Sequence, residues 1–245
     1  MMTSPRTWLG TSLGALLAAS LGCGADDPVP APTFSVSGDA IPFSESPDGR
    51  IEGAEVWILE RPEMRVTTGP DGHFHFDGLP SGSEATLVLE HPDYHLIQTA
   101  TQRVEDADIE RVTFQAVTPA IYAALAAIVA ITPDELSACQ MVTTITRVGK
   151  SLYDDGAHGL AGATVTLDPP IAAEHGPIYF NKMVIPQRNL VESSEDGGVL
   201  YTQVPPGEYL WTATRPGVTF TPLKMKCRPG VLVNASPPKG LQALE

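Results

Sequence analysis

Apolar and polar residues alternate along much of this chain, and the alternation predicts β-strands. Between His73 and Phe76 the period is two residues, so Phe74 and Phe76 should point to one face of a strand, and His73 and His75 to the other. The same period recurs around Trp211. The chain also has 22 Gly and 23 Pro, which favour many turns between short strands. We therefore predict a mainly β protein.

The pattern occurs twice. Residues 53–56 (Gly-Ala-Glu-Val) and 162–165 (Gly-Ala-Thr-Val) each precede an Asp-Gly pair, at 71–72 and 196–197. A glycine follows each of these aspartates at the same distance along the chain, as Gly82 and Gly207. Asp-Gly supplies a turn residue with positive φ and joins antiparallel strands. We predict two copies of a β-sandwich of about seven short strands each.

A segment with a helical rather than an alternating pattern separates the two copies. Thr118-Pro119 is typical of a helix N-terminus, and Ile121, Leu125 and Ile128 then fall on one helical face. At about 12 residues such a helix is too short to cross a membrane. We predict a short helical connector over residues 105–140, packed on one sandwich or wedged between the two.

The motifs of the first copy, Gly-Ala-x-Val, Asp-Gly-x-Phe-x-Phe and Leu-Pro-x-Gly, resemble the carboxypeptidase regulatory-like domain, a transthyretin-like antiparallel β-sandwich. The resemblance covers residues 33–104 closely and 141–240 more loosely, because the second copy has a longer segment between Val165 and Asp196. This family accompanies peptidases and transporters but has no peptidase active site. The resemblance implies a non-catalytic binding or structural role, no cofactor and no enzymatic activity.

The start of the chain resembles the signal peptide of a bacterial lipoprotein. The apolar run of residues 9–21 has the length of a signal-peptide core and is too short to span a bilayer. Residues 20–23 (Ser-Leu-Gly-Cys) resemble a lipobox, which implies removal of residues 1–22 and lipidation of Cys23. An ordinary signal peptide, with Cys23 unmodified, is the alternative.

The resemblance to lipoproteins also implies where in the cell the protein is located. Residues 23–32 contain three prolines, which predict an extended tether. Gly24 follows the lipidated cysteine, as in outer-membrane sorting patterns. The expected location is therefore the cell envelope, with a lipid anchor at the outer membrane.

Charge narrows the choice of partners. The formal net charge is −14, and an acidic surface repels phosphates, so we expect no binding to nucleic acid. An envelope protein or a carbohydrate is the expected partner. Tyr179 and Phe180, in the long segment of the second copy, are the candidate contact surface, because exposed aromatic rings can stack on sugars.

Two cysteines remain if Cys23 carries lipid. Cys139 and Cys227 would then lie in an oxidising compartment, where we predict a disulfide between them. Two buried free thiols are the alternative.

Histidines supply the alternative function, a metal-binding protein or metal-dependent enzyme centred on His73 and His75. His-x-His on one strand places both imidazoles on the same face, and His91 and His95 lie in the same copy. The simpler interpretation is that His73 and His75 occupy the solvent face of a strand whose other face is core.

Overall fold

Strands make up most of the regular structure, as the alternation predicted. The computed structural model describes residues 31–43, 48–156 and 158–245. The predicted signal peptide, the lipidation site Cys23 and residues 23–30 of the tether lie outside the described residues. No helix in the described part is long and apolar enough to span a membrane.

The described strands fall in two groups around one helix. The first group is β1 (Thr33–Pro42), β2 (Glu55–Ile58), β3 (Arg61–Thr67), β4 (His73–Pro80), β5 (Glu84–Glu90), β6 (Ile97–Arg103) and β7 (Phe114–Ala116). Helix α1 (Pro119–Ile128) follows. The second group is β8 (Cys139–Thr146), β9 (Thr164–Asp168), β10 (Ile178–Phe180), β11 (Pro186–Gln187), β12 (Gly198–Val204), β13 (Gly207–Thr214), β14 (Leu223–Cys227), β15 (Leu232–Ala235) and β16 (Leu241–Gln242), with a 3₁₀ turn at Ala173–His175.

The first group forms a sandwich of two sheets. One sheet has the order β4-β1-β7, and the other has the order β3-β2-β5-β6. Phe74 and Phe76 of β4 point inward, as predicted, and the Phe74 ring lies 5.5 Å from that of Phe114. They share one core with Val56 and Leu87 of the opposite sheet. Strand β7 belongs to this sandwich although it lies beyond residue 104, because it pairs with β1.

The second group repeats this arrangement. Strands β12, β8 and β15 pair as β4, β1 and β7 do, with one antiparallel and one parallel ladder. Strands β9, β13 and β14 form the opposite sheet, as β2, β5 and β6 do in the first group. Between the two sheets lies a second core that includes Trp211, Met141 and Val233. Strands β10 and β11, from the longer segment of this copy, extend the sheet formed by β12, β8 and β15.

Hydrogen bonds show the same repeat at atomic detail. The Ala54 amide donates to the Thr68 hydroxyl at 3.0 Å, and the Ala163 amide donates to the Ser193 hydroxyl at 2.9 Å. Each hydroxyl in turn donates to a backbone carbonyl, at 2.6 and 2.7 Å. These buried hydroxyls satisfy backbone groups where the chain enters β2 and β9, so the two positions need a small hydroxyl side chain in both copies.

The two sandwiches share a sheet. Strand β6 of the first copy pairs in parallel with β15 and is bridged to β14 of the second copy. Backbone pairing therefore continues from one copy into the other, in a sheet of 13 of the described strands. Residues 31–245 form one compact unit.

The predicted disulfide is present. Cys139 starts β8 and Cys227 ends β14, and their sulfur atoms are bonded. Because these strands belong to the two facing sheets of the second sandwich, the bond links those two sheets.

Candidate functional site

The second sandwich has an apolar outer face. Along β8, Met141 and Ile145 point into the core, whereas Val142 and Thr144 point to the opposite face. Leu200 of the neighbouring β12 lies directly across from Val142. A strand face with such residues is normally covered, because exposed apolar surface is unfavourable.

Helix α1 covers part of this face and leaves a cleft. The Thr118 hydroxyl caps the helix by accepting from the Ile121 amide at 3.3 Å, and Pro119 opens the first turn, as predicted. Val129, which follows the helix, packs in a small core with Ile178 and Leu200. The remaining space is a cleft of about 600 Å³, a volume typical of small-molecule sites.

Apolar side chains dominate the walls of the cleft. Those contributed by the strand floor, the helix and the ends of β1 and β7 include Ile41, Phe43, Val117, Ile121, Leu125, Val129, Ile131, Val142, Phe180, Leu200 and Leu232. Polar lining comes from amides and hydroxyls such as Gln115, Gln140 and Thr202. The side-chain oxygens of Gln115 and Gln140 already accept hydrogen bonds, from the Ser236 hydroxyl at 2.9 Å and the Gln203 backbone amide at 3.0 Å.

A tight loop forms part of the rim. The Asn181 side chain accepts hydrogen bonds from the Met183 amide at 2.9 Å and the Ile185 amide at 3.2 Å. This holds Met183 in solvent with 69% of its surface exposed, and holds Val184 at φ 60°. A β-branched residue in that conformation is strained, and such strain concentrates at functional sites. Both Met183 and Val184 line the cleft.

Two ionisable side chains, Asp196 and His158, line one end of the cleft and also a smaller pocket at its mouth. Burial raises the pKa of the Asp196 carboxyl, against a hydrogen bond from the Gly198 amide at 3.0 Å. Burial lowers the pKa of the His158 imidazole, and its buried Nδ1 atom has no hydrogen-bond partner among the described residues. Both groups are thereby biased towards their uncharged forms.

A second polar cluster lies where α1 meets the first sandwich. The Tyr122 ring stacks on His95 at a centroid distance of 3.8 Å, and the Glu135 carboxylate lies 3.8 Å from His95 Nε2. Burial, with Glu135 nearby, raises the pKa of Tyr122, and burial lowers the pKa of His95. Tyr122 also lines the cleft, so its contact with His95 holds the Tyr122 ring in place in the cleft wall.

The histidines singled out from the sequence do not converge. His73 contacts Asp39 at 3.0 Å and His75 contacts Asp77 at 2.8 Å, both on the solvent face of β4. His91 packs beside Tyr94, and His95 lies against α1. Within the described ranges, no three His, Cys, Asp or Glu side chains are grouped as they would be around a metal ion.

The structure corrects the prediction of an exposed contact surface at Tyr179 and Phe180. Tyr179 is 2% exposed, and its hydroxyl accepts from the Val165 amide at 2.9 Å inside the core. Phe180 is 6% exposed and lines the cleft. The segment forms β10, which pairs with β12; sequence pattern alone could not distinguish this buried strand from a surface loop.

Sequence reasoning missed the cleft and both Asp196 and His158 as site residues. Asp196 was assigned to a turn, which is correct but incomplete. Two features of the sequence could have indicated a cleft: the apolar helix face at 121–128 and the extra segment of the second copy. Both are expected to pack against another part of the protein.

Comparison with known proteins gives only distant structural likenesses. No family model and no curated protein matches the chain. The Bacillus anthracis TIE protein is 12% identical, with a TM-score of 0.29 over 83% of this chain and 33% of that one. The Streptococcus agalactiae minor pilin is 11% identical, with a TM-score of 0.28 over 86% and 95%. A provisionally assigned carbohydrate-binding protein of Bacteroides uniformis is 10% identical, with a TM-score of 0.27 over 80% and 97%. This chain thus spans about a third of the TIE protein, and likenesses this distant carry no functional argument.

Proposed function

We propose that this chain is an exported, lipid-anchored, non-catalytic binding protein, and that the cleft beside α1 holds a small apolar or amphipathic molecule. The observation that carries the proposal is the cleft itself, about 600 Å³ in volume and lined mainly by aliphatic and aromatic side chains. Transfer of apolar ligand surface from water into such a site is favourable by about 25 cal/mol per Å².

The chemistry of the lining favours an apolar body over a glycan. Sugars are bound by many hydrogen bonds, whereas the side-chain oxygens of Gln115 and Gln140 in this cleft already accept from the Ser236 hydroxyl and the Gln203 backbone amide. The aromatic residues Phe43, Tyr122 and Phe180 contribute to walls that are otherwise aliphatic. The metal-centred alternative rests on His73 and His75, which lie outside the cleft lining and contact the carboxylates of Asp39 and Asp77.

Binding of an uncharged fluorescent probe tests the proposal. N-phenyl-1-naphthylamine fluoresces more strongly in apolar surroundings, and we expect saturable enhancement with the chain from residue 24 onward, which needs no detergent and contains the compact unit 31–245. Val142→Trp should fill the floor of the cleft and weaken binding at least tenfold.

Two further variants make the result specific. Leu125→Trp fills the same cleft from the partly exposed helix side, in case Val142→Trp does not fold. Thr212→Trp adds the same bulk on the exposed face of β13, outside the cleft, and should leave binding unchanged. Absence of saturable binding, or equal binding by all three folded variants, would refute a ligand site here.

A further inference from the structure

Asp196 is a carboxylate placed among apolar groups. It is the one acidic side chain among the described residues that line the cleft. A Cβ atom on Gly198 would lie 2.6 Å from Asp196 Oδ2 and 2.8 Å from the Phe180 ring. Glycine at 198 therefore lets the carboxylate and the ring approach the same point of the cleft wall.

The turn at residues 196–197 does not require the Asp196 carboxylate to be buried. Asp71 is the equivalent residue of the first copy, and its Oδ1 atom accepts from the His73 amide at 3.1 Å, just as Asp196 accepts from Gly198. Asp71 performs that role at an exposed position, whereas Asp196 is half-buried. The burial of Asp196 is thus a property of the second copy and its cleft, with a desolvation cost that the turn alone does not explain.

Within the described residues, no ion pair joins Asp196 to a cation. His158 beside it is biased towards its neutral form by burial. At the mouth of the cleft, Lys182 and Glu195 have opposite charges. The chain as a whole has a net charge of −14. A ligand group that complements the charge at this end of the cleft would therefore be positive.

We propose that the cleft binds small amphipathic amines, with the apolar body on the floor around Val142 and Leu200 and the ammonium group donating to the Asp196 carboxylate. This inference rests on the proposed function and specifies its ligand class. A charge-assisted hydrogen bond at the Asp196 end of the cleft, combined with apolar contact along the floor, selects an amine over a neutral or anionic molecule of the same length.

Competition against bound N-phenyl-1-naphthylamine measures this selectivity. Octylammonium, 1-octanol and octanoate share one chain length and differ in head group. We expect the wild-type chain to bind octylammonium at least about tenfold more tightly than 1-octanol, with octanoate weakest. Asp196→Asn keeps an oxygen for the Gly198 amide and should reduce the preference for the amine to within about twofold.

Two matched variants control for the turn and for net charge. Asp71→Asn makes the same change in the equivalent exposed turn, and Glu63→Gln removes an exposed charge from β3, away from the residues that line the cleft. Both should retain the wild-type preference. Because burial disfavours ionised Asp196, the Asp196→Asn variant should unfold at no lower a temperature than the wild-type chain, so its loss of preference would not reflect unfolding.

The possible outcomes separate the two proposals. Equal affinity for octylammonium and 1-octanol, tighter binding of octanoate, or an amine preference that survives Asp196→Asn would each overturn the amine site while the cleft remains a binding site. If the wild-type chain does not bind the uncharged probe at all, the proposed function fails first.

Discussion

Gly72 and Gly197 follow the turn aspartates of the two copies, and both have positive φ, 66° and 78°. Close approach of the neighbouring strand adds a second requirement. A Cβ on Gly72 would lie 2.7 Å from the Ala40 carbonyl oxygen, and one on Gly197 would lie 2.3 Å from that of Ile145. The Asp-Gly pairs that revealed the repeat are thus required both by turn conformation and by the packing of the turn against a strand.

Replacing Gly197 with alanine should destabilise the protein strongly. The strained φ costs about 1 kcal/mol, and the collision with backbone raises the total above about 3 kcal/mol. Gly78 is the matched control, because its φ is 77° and no atom of the described residues lies within 4 Å of its Cβ position. Gly78→Ala should cost only about 1 kcal/mol. Urea unfolding of both variants checks this, and equal losses would contradict the packing argument.

The residue types alone did not reveal that Asp71 is exposed whereas Asp196 lies at the cleft. Both follow from the same turn preference, and both accept a hydrogen bond from the amide two residues later. Only the three-dimensional placement of α1 and β10 beside the second turn puts Asp196 at a cleft and leaves Asp71 in solvent. One short motif therefore has a structural role in one copy and, in our proposal, a binding role as well in the other.

At the level of elements, side chains from β5 and β14 tie the two sandwiches together. Lys226 contacts Glu84 at 2.8 Å and Glu60 at 2.6 Å, and Lys224 contacts Glu84 at 2.8 Å and Glu208 at 2.9 Å. The hydrogen bonds from Lys224 and Lys226 lower the pKa of Glu84 to about 2. These pairs are partly buried, so breaking one should cost more than breaking an exposed pair.

Stability should therefore fall in acid through Glu84. A carboxyl whose pKa is lower in the folded chain contributes stability above its unfolded pKa, near 4.5, and loses that contribution as the pH falls towards about 2. Glu84→Gln should lower stability by about 1–2 kcal/mol at pH 7 and by much less near pH 2. Urea unfolding across this range measures the difference. Glu63→Gln, at an exposed position of β3, should follow the wild-type pH dependence; an unchanged pH dependence in Glu84→Gln would contradict the assignment.

The connector shows how far an element can be predicted. Its start followed from Thr118 and Pro119, because capping and proline at the first turn are local effects, and the structure confirms both. Which sandwich it would cover did not follow, because the apolar positions of a helix show that it packs but not against what. The helix segment contacts both, because Ile121 and Tyr122 pack against the first core and Val129 packs on β10 and β12 of the second copy. These contacts join residues far apart in sequence.

At the scale of the whole molecule, the proposed anchor and the disulfide make one mass prediction. Protein purified from membranes should have a chain starting at Cys23 with the added mass of acyl groups, and it should gain the mass of two hydrogens on reduction of Cys139–Cys227. Cys23→Ser is the control and should remove the acyl mass while leaving the reduction shift. An unacylated wild-type chain would make the protein a soluble exported one and would leave the cleft proposal untouched.

The sequence by itself determined the strand content, the two Asp-Gly turns and the helix cap, and it favoured a bond between Cys139 and Cys227 over two free thiols. The turns and the cap depend on local conformational preference and the strands on two-residue periodicity, whereas the disulfide prediction depended on the lipidation expected at Cys23. Tertiary structure alone decided that β6 joins the two sandwiches in one sheet, that Tyr179 is core, and that α1 leaves a cleft beside Asp196. These features are set by which apolar faces cover one another, a balance of packing between distant segments that short-range patterns do not encode.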